Sequence, residues 1–174
     1  MINSTALVIG TSRPDGNTWK VLHAANGKVK LPVFNLATLR ISPFDYNYRN
    51  LEDDFIPTIE KLVEFDTIGF VSPVYWYSVS SQMKIFIDRF SDLLGPRKDL
   101  GRKLRGKRLF LMANGSTDPS VPESMEQMIK LTSEYLGMRY IGSHYSLIPE
   151  DAALSPQILE QAALFLEGVI TNPS

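Results

Sequence analysis

The 174-residue chain contains no cysteine and only two histidines. The first absence excludes a disulfide scaffold, a thiol nucleophile and an iron–sulfur cluster held by cysteines. The two histidines, His23 and His144, stand far apart without metal-ligand spacing, so no metal site is expected. Charge is nearly balanced, with 18 Lys and Arg against 19 Asp and Glu and a net charge of -1. Bulk charge thus offers no footprint for nucleic acid or an acidic membrane. No apolar run approaches the ~18 residues needed to span a bilayer. The N-terminus lacks a basic region, and its apolar run Ala6 to Ile9 is too short for a signal peptide. These absences fit a cytoplasmic protein.

Two nucleotide-binding motifs are also missing. The dinucleotide fingerprint GxGxxG needs three glycines, and the first loop has only Gly10 and Gly16. The P-loop ends in Gly-Lys-Ser/Thr, whereas Gly16 is followed by Asn17-Thr18. What is present suits one globular domain over residues 1–174: 44% of residues are hydrophobic, enough for a sizeable core at this length.

Strand and helix signals alternate. Ala6-Leu7-Val8-Ile9 is continuously apolar, as a strand buried on both faces is. Trp19 to Ala25 predicts a short helix. Val29 to Leu36 predicts a second strand, with Pro32 arguing for a sheet edge. Residues 37–50 are irregular. A helix is expected from Leu51-Glu52-Asp53-Asp54, whose acidic start suits the helix dipole. Thr67 to Val71 is a third strand.

A helix over about Ser80 to Leu94 follows, with Val79, Met83, Phe86, Ile87, Phe90, Leu93 and Leu94 on one face and Lys84 and Asp88 placed to pair. Gly95 to Gly106 reads as a polar connection. Leu109 to Met112 is the fourth strand. A helix near Pro119 and Pro122 runs to a Gly137 C-cap. Arg139 to Ile148 is the fifth strand, and Ser155-Pro156 opens a last helix. Five strand–helix repeats predict a parallel sheet with helices on both faces, in order 2-1-3-4-5.

Ligands bind such sheets beyond the carboxyl ends of the strands. Three loops there are unusual. The first, GTSRPDGNT, leads into a helix and holds Thr11, Ser12, Arg13, Asn17 and Thr18. Free N–H groups, hydroxyls, an amide and a guanidinium fit phosphate oxygens; an ordinary strand-to-helix connection is the plain alternative. Asp15 would repel a phosphate unless it faces outward and organises the turn. The second, SPVYWYS, carries Pro73, Val74, Tyr75, Trp76 and Tyr77: a wall for a flat ligand, or else a core cap or subunit interface. The third supplies Asn114, Gly115 and Ser116, a polar edge for a heterocycle. A phosphorylated flat cofactor meets all three demands.

GTSRPDGNT followed by SPVYWYSVSSQMKIFIDR resembles the flavodoxin-like NAD(P)H-dependent FMN reductases and quinone reductases, over essentially the whole chain. The resemblance implies a flavodoxin-like three-layer sandwich and bound FMN. Thr11, Ser12, Arg13, Asn17 and Thr18 would hold its phosphate. Pro73, Val74, Tyr75 and Trp76 would pack on the isoalloxazine and ribityl chain, and Asn114, Gly115 and Ser116 would close on the ring. Tyr77 stands where many relatives carry glycine.

NADPH or NADH would be the co-substrate. The electrons would pass to a small-molecule acceptor, namely a quinone, a nitro or azo compound, or free flavin, with the cofactor supplying the chemistry and no side chain needed as acid, base or nucleophile. The resemblance also implies a homodimer or dimer of dimers, with Phe44, Tyr46 and Tyr48 at the interface or in the core. A flavodoxin-type one-electron carrier is the other class of function, against which the near-neutral charge counts, and a flavin-binding sensor is a third.

The basic run Arg97, Lys98, Arg102, Lys103, Arg105, Lys107 and Arg108 reads as a solvated connector, with recognition of an NADPH 2′-phosphate as the sharper reading. Asp88 and Arg89 suggest a buried ion pair or a dimer contact. His144 is expected to be structural.

Overall fold

A computed structural model of the chain describes residues 4–150 and 152–171. Five strands, β1 (Thr5–Ile9), β2 (Val33–Asn35), β3 (Thr67–Pro73), β4 (Arg108–Gly115) and β5 (Arg139–Leu147), form one sheet in the order β2-β1-β3-β4-β5. Every pairing is parallel. The helices are α1 (Asn17–Asn26), α2 (Phe55–Leu62), α3 (Ser81–Asp88), α4 (Lys98–Lys103), α5 (Glu123–Tyr135) and α6 (Pro156–Thr171). The expected three-layer, flavodoxin-like order 2-1-3-4-5 is therefore the observed one.

Alternate strand residues point to opposite faces, and both faces are covered. Leu7, Ile9, Val71, Phe110 and Met112 pack with Val21 and Leu22 of α1 and Ala162 and Leu166 of α6. Ala6, Val8, Phe70 and Leu111 pack with Ile59 of α2, Phe86 of α3 and Ile129 of α5. This two-sided burial explains why the central strands read as unbroken apolar runs. Packing across the sheet is tight enough that a Cβ on Gly69 would lie 2.2 Å from the Phe110 ring.

Three elements depart from the pattern reading. The second strand is Val33–Asn35 rather than Val29 to Leu36. The Asn26 amide donates to the Leu31 carbonyl (2.9 Å) and accepts from the Leu31 N–H (2.7 Å), and Lys30 turns with φ +54. Those bonds hold the approach to Pro32 as a turn. The strand is nonetheless the edge that Pro32 indicated.

Helix α2 starts at Phe55, not Leu51, because its acidic approach is used elsewhere. The Asp54 carboxylate accepts from the Arg40 N–H (2.7 Å). The Asp53 carboxylate accepts from the Ser42 N–H (2.8 Å), the Phe55 N–H (3.0 Å) and the Arg89 guanidinium (2.5 Å). Long-range bonds thus outrank the dipole pattern.

The expected single helix to Leu94 ends at Asp88 and tightens into a 3-10 turn over Arg89–Leu93. Side chains three apart eclipse in that geometry, and Arg89 donates to Asp92 at 2.6 Å. Arg89 is only 1% exposed. It also donates to the Ser42 and Asn50 carbonyls, both at 2.9 Å, and lies 4.8 Å above the Phe55 ring. Burial works to lower its pKa, but the hydrogen bonds and charges of Asp53 and Asp92 outweigh burial and hold it above the ordinary value. A buried ion pair is what Arg89 forms, though not with Asp88. That carboxylate pairs instead with Lys84 at 2.6 Å on the surface.

The polar connection after Gly95 contains α4. Within it Arg97 pairs with Glu60 and Asp99, at 3.0 and 3.1 Å.

Candidate active site

The carboxyl ends of β1, β3 and β4 lie side by side. Ile9 is in register with Val71, and Pro73 with Asn114. Their loops are stitched together. The Ser80 hydroxyl donates to the Gly10 carbonyl (2.7 Å) and accepts from the Met83 N–H (3.2 Å), which caps α3. The Ser72 hydroxyl accepts from the Ser80 N–H (2.9 Å). Gly10 permits this approach, since a Cβ there would lie 2.8 Å from that of Met83. The Val74 N–H donates to the Asn114 carbonyl (2.8 Å) and the Ile148 N–H to the Gly115 carbonyl (2.8 Å). The Thr18 hydroxyl donates to the Asn114 side-chain oxygen (2.7 Å), tying the first helix to the fourth strand.

Between the loops lies a cleft of about 460 Å³, within the usual range of small-molecule sites. Thr11, Arg13, Asn17 and Thr18 from the first loop, Pro73, Val74 and Tyr75 from the second, and Asn114, Gly115 and Ser116 from the third all line it. The N-terminus of α1 opens here. Its N-cap, Gly16, supplies no side-chain hydrogen bond and the first turn has no acidic residue, so the first-turn N–H groups are not capped by a side chain. Lys20 adds a second cation beside Arg13, while Asp15 and Glu150 bring carboxylates. Lys20 and the segment Ile148 to Glu150 escaped the sequence reading. The signal was available: Lys20 stands one helical turn beyond Gly16, and the fifth strand ends on the same sheet edge.

Two residues expected at the site lie elsewhere. Ser12 is exposed and accepts from the Gln82 side-chain amide (2.9 Å). It lines a separate recess with Leu36, Ile41, Gln82 and Ile85. Trp76 is 94% exposed and does not line the cleft. It sits in a two-residue turn closed by Tyr75 N–H to Ser78 carbonyl (2.9 Å) and Ser78 N–H to Tyr75 carbonyl (3.1 Å). Trp76 and Tyr77 have φ of +50 and +61, the left-handed pair of a type I′ turn, which ordinarily selects Asn-Gly.

His144 stacks on Phe165 at 5.5 Å and shares a 3.1 Å hydrogen bond with Ser146. Burial lowers its pKa. It belongs to the packing of β5 on α6. His23 is exposed in the last turn of α1. The basic segment precedes β4, so it lies roughly 23 Å from the cleft, one eight-residue strand away.

The sequence model of the NADPH-dependent FMN reductases matches residues 4–153. That span holds all three loops and all five strands. The chain belongs to this family. As an NADPH-dependent FMN reductase relative it is an NAD(P)H-dependent oxidoreductase, with FMN as cofactor.

Bacillus subtilis YwqN, named as an NAD(P)H-dependent FMN-containing oxidoreductase, is 26% identical over 146 residues, covering 79% of this chain and 81% of that one. Among solved structures the fold is similar to the Trp repressor binding protein of B. subtilis (TM-score 0.74, 22% identity, 98% and 99% of the two chains). It is also similar to general stress protein 14 of Treponema denticola in complex with FMN (TM-score 0.70, 16% identity, 97% and 98%).

Proposed function

We propose that the cleft holds FMN with its phosphate at Thr11, Arg13, Asn17 and Thr18. Its ring system lies against Pro73, Val74 and Tyr75, and its polar edge meets Asn114, Gly115 and Ser116. The donor set fits. The Thr11 hydroxyl, an amide, an uncapped helix N-terminus and two cations line the cleft together with the apolar Pro73 and Val74. When bound, FMN supplies hydride exchange between a nicotinamide and a second substrate.

The chain's own part is positioning. Thr18 and Asn114 hold two loops at a fixed separation, and Ser80 locks the first loop against α3. Loops held this way keep two rings in contact without reorganising. Backbone N–H groups beside a ring edge would stabilise negative charge there. Tyr75, half exposed at the rim, bounds the space left for a second ring.

The acceptor in this reading is a quinone, a nitro or azo compound, or free flavin, reduced at the expense of NADPH or NADH. The chain works as a homodimer or a dimer of dimers. The cluster of half-buried Phe44 with exposed Tyr46 and Tyr48, whose rings meet edge to face at 5.0 and 6.1 Å, supports that assembly.

The observation that carries the reading is the convergence of the three loops on one cleft. Reconstitution with FMN tests the cofactor, and steady-state oxidation of NADPH and NADH against an acceptor panel tests the reaction. Purified protein that stays colourless after incubation with FMN would overturn the reading.

A further inference from the structure

We propose that the cavity where α4 meets α5 is a second binding site, for a small aromatic anion: one ring carrying two negative charges, as in an aryl phosphate. It is separate from the cleft. Arg105 and Leu136, which line the cavity, shortly precede β4 and β5. It therefore opens at the amino ends of the strands, across the sheet from the cleft.

The lining joins apolar surface to positive charge. Buried Leu93 and Leu136 and exposed Leu94 supply the apolar part of a space of about 210 Å³, and Tyr135, 76% exposed, adds an aromatic ring. Lys98, Arg102 and Arg105 also line it, and no carboxylate does. Their spacing of four and three sets them on one side of α4 and of the turn that continues it. Among the described residues none of the three forms an ion pair. Like charges at this spacing repel one another, and an entering anion offsets that repulsion.

The surrounding sequence strengthens the field. Arg97 to Arg108 holds seven of the chain's 18 Lys and Arg but one of its 19 Asp and Glu. That one, Asp99, is taken by Arg97. A chain with a net charge of -1 thus concentrates positive potential at this edge. The backbone is set beforehand. A Cβ on Gly101 would lie 2.4 Å from the Leu93 carbonyl oxygen, and the Arg97 N–H donates to the Asp92 carbonyl at 3.0 Å. Helix α4 is therefore seated on the 3-10 turn without a ligand, and little ordering is left for binding to cost.

Size and charge select the occupant. The space is below the ~300 Å³ at which sites for drug-sized molecules begin, so a single ring fits and a dinucleotide does not. Guanidinium groups pair with phosphate through two parallel hydrogen bonds, and the leucines and Tyr135 cover a ring.

Calorimetric titration of the FMN-saturated protein with phenyl phosphate at low ionic strength is the test, the flavin keeping the probe out of the cleft. The expected result is one molecule bound per chain with a Kd of roughly 0.1 mM. Inorganic phosphate, which lacks the ring, and benzyl alcohol, which lacks the charge, bind at least about tenfold more weakly. Arg102→Gln and Arg105→Gln each weaken phenyl phosphate about tenfold. Tyr135→Ala weakens phenyl phosphate and leaves inorganic phosphate unchanged. All three side chains are exposed, and circular dichroism confirms that the variants fold. Flavin affinity stays at the parent value in each, which separates this site from the cleft. Phenyl phosphate binding no tighter than inorganic phosphate, or equally well in the parent and both arginine variants, overturns the proposal. So does binding of polyglutamate without binding of phenyl phosphate, which makes the edge a surface for acidic macromolecules.

Discussion

Thr18 on α1 and Asn114 at the end of β4 are joined by a hydrogen bond of 2.7 Å between residues 96 apart in sequence. That bond makes the two residues neighbours in the lining of the cleft. Thr18 therefore has two tasks in the proposed site: its hydroxyl braces Asn114, and its backbone N–H, in the first turn of α1, is a phosphate donor.

Thr18→Ala is expected to weaken FMN binding by ~0.5–1.5 kcal/mol, the range for losing the neutral hydrogen bond that braces Asn114. Ser12→Ala, at a side chain turned toward Gln82, is expected to leave the affinity unchanged. Fluorescence titration of the two apoproteins with FMN checks both. Equal effects would mean that the hydroxyls are interchangeable and that Thr18 holds no special position.

Arg89→Leu strands Asp53 and Asp92, which both pair with it in the interior. Removing one member of a buried ionic cluster leaves the other charges uncompensated, at about 3–5 kcal/mol. Urea unfolding should show that loss. A change below ~1 kcal/mol would indicate that the carboxylates find water instead.

Gly10→Ala puts a methyl group 2.8 Å from the Met83 Cβ and 2.9 Å from its N. Helix α3 must then shift away from the first loop. Overpacking of this kind costs roughly 1–3 kcal/mol, and here it also disturbs Ser80. A lower melting temperature together with weaker FMN retention is the expected result; a fall in stability alone would place the strain outside the site.

His144 gives a pH dependence of known sign. Burial favours its neutral form and moves its pKa below the ordinary 6.5. In the window between the folded value and 6.5 the unfolded chain binds more protons, so stability rises with pH there. The contribution is complete above 6.5 and is lost as pH falls through the window. Denaturation from pH 7.5 to 5 should show a shallower slope in His144→Leu than in the parent. An identical slope would assign the effect to other groups.

Tyr77→Gly relieves a left-handed angle of φ +61 at an exposed position. It is expected to stabilise the fold by ~1 kcal/mol, measured by chemical denaturation. Destabilisation would show that the Tyr77 ring has packing worth more than the strained angle.

The architecture was legible where burial alone decides it. Leu7 to Ile9, Phe70 to Val71 and Leu109 to Met112 are covered on both faces, so an unbroken apolar run was enough to place them. The segment from Leu39 to Asp54 was not legible. Its shape is set by Asp53, Asp54 and Arg89, whose partners are distant in sequence, and no local period encodes such bonds. At the cleft, residue type pointed to the right loops but not to side-chain direction. Tyr75 and Trp76 are adjacent aromatics of equal promise in sequence, yet the backbone turns between them and only Tyr75 lines the cavity. Ser12 and Thr11 divide in the same way, one outward and one buried.

One consequence of the Arg89 cluster reaches the molecular surface. The guanidinium anchors Ser42, Asn50 and Asp53 from inside, so the stretch between them, with Tyr46 86% exposed at its crest, is a stiff arch and not a floppy strap. Its aromatic crest is already shaped before anything touches it. A companion molecule settling there would freeze out little chain motion, and adhesion that a limp segment would squander on ordering itself is retained as affinity.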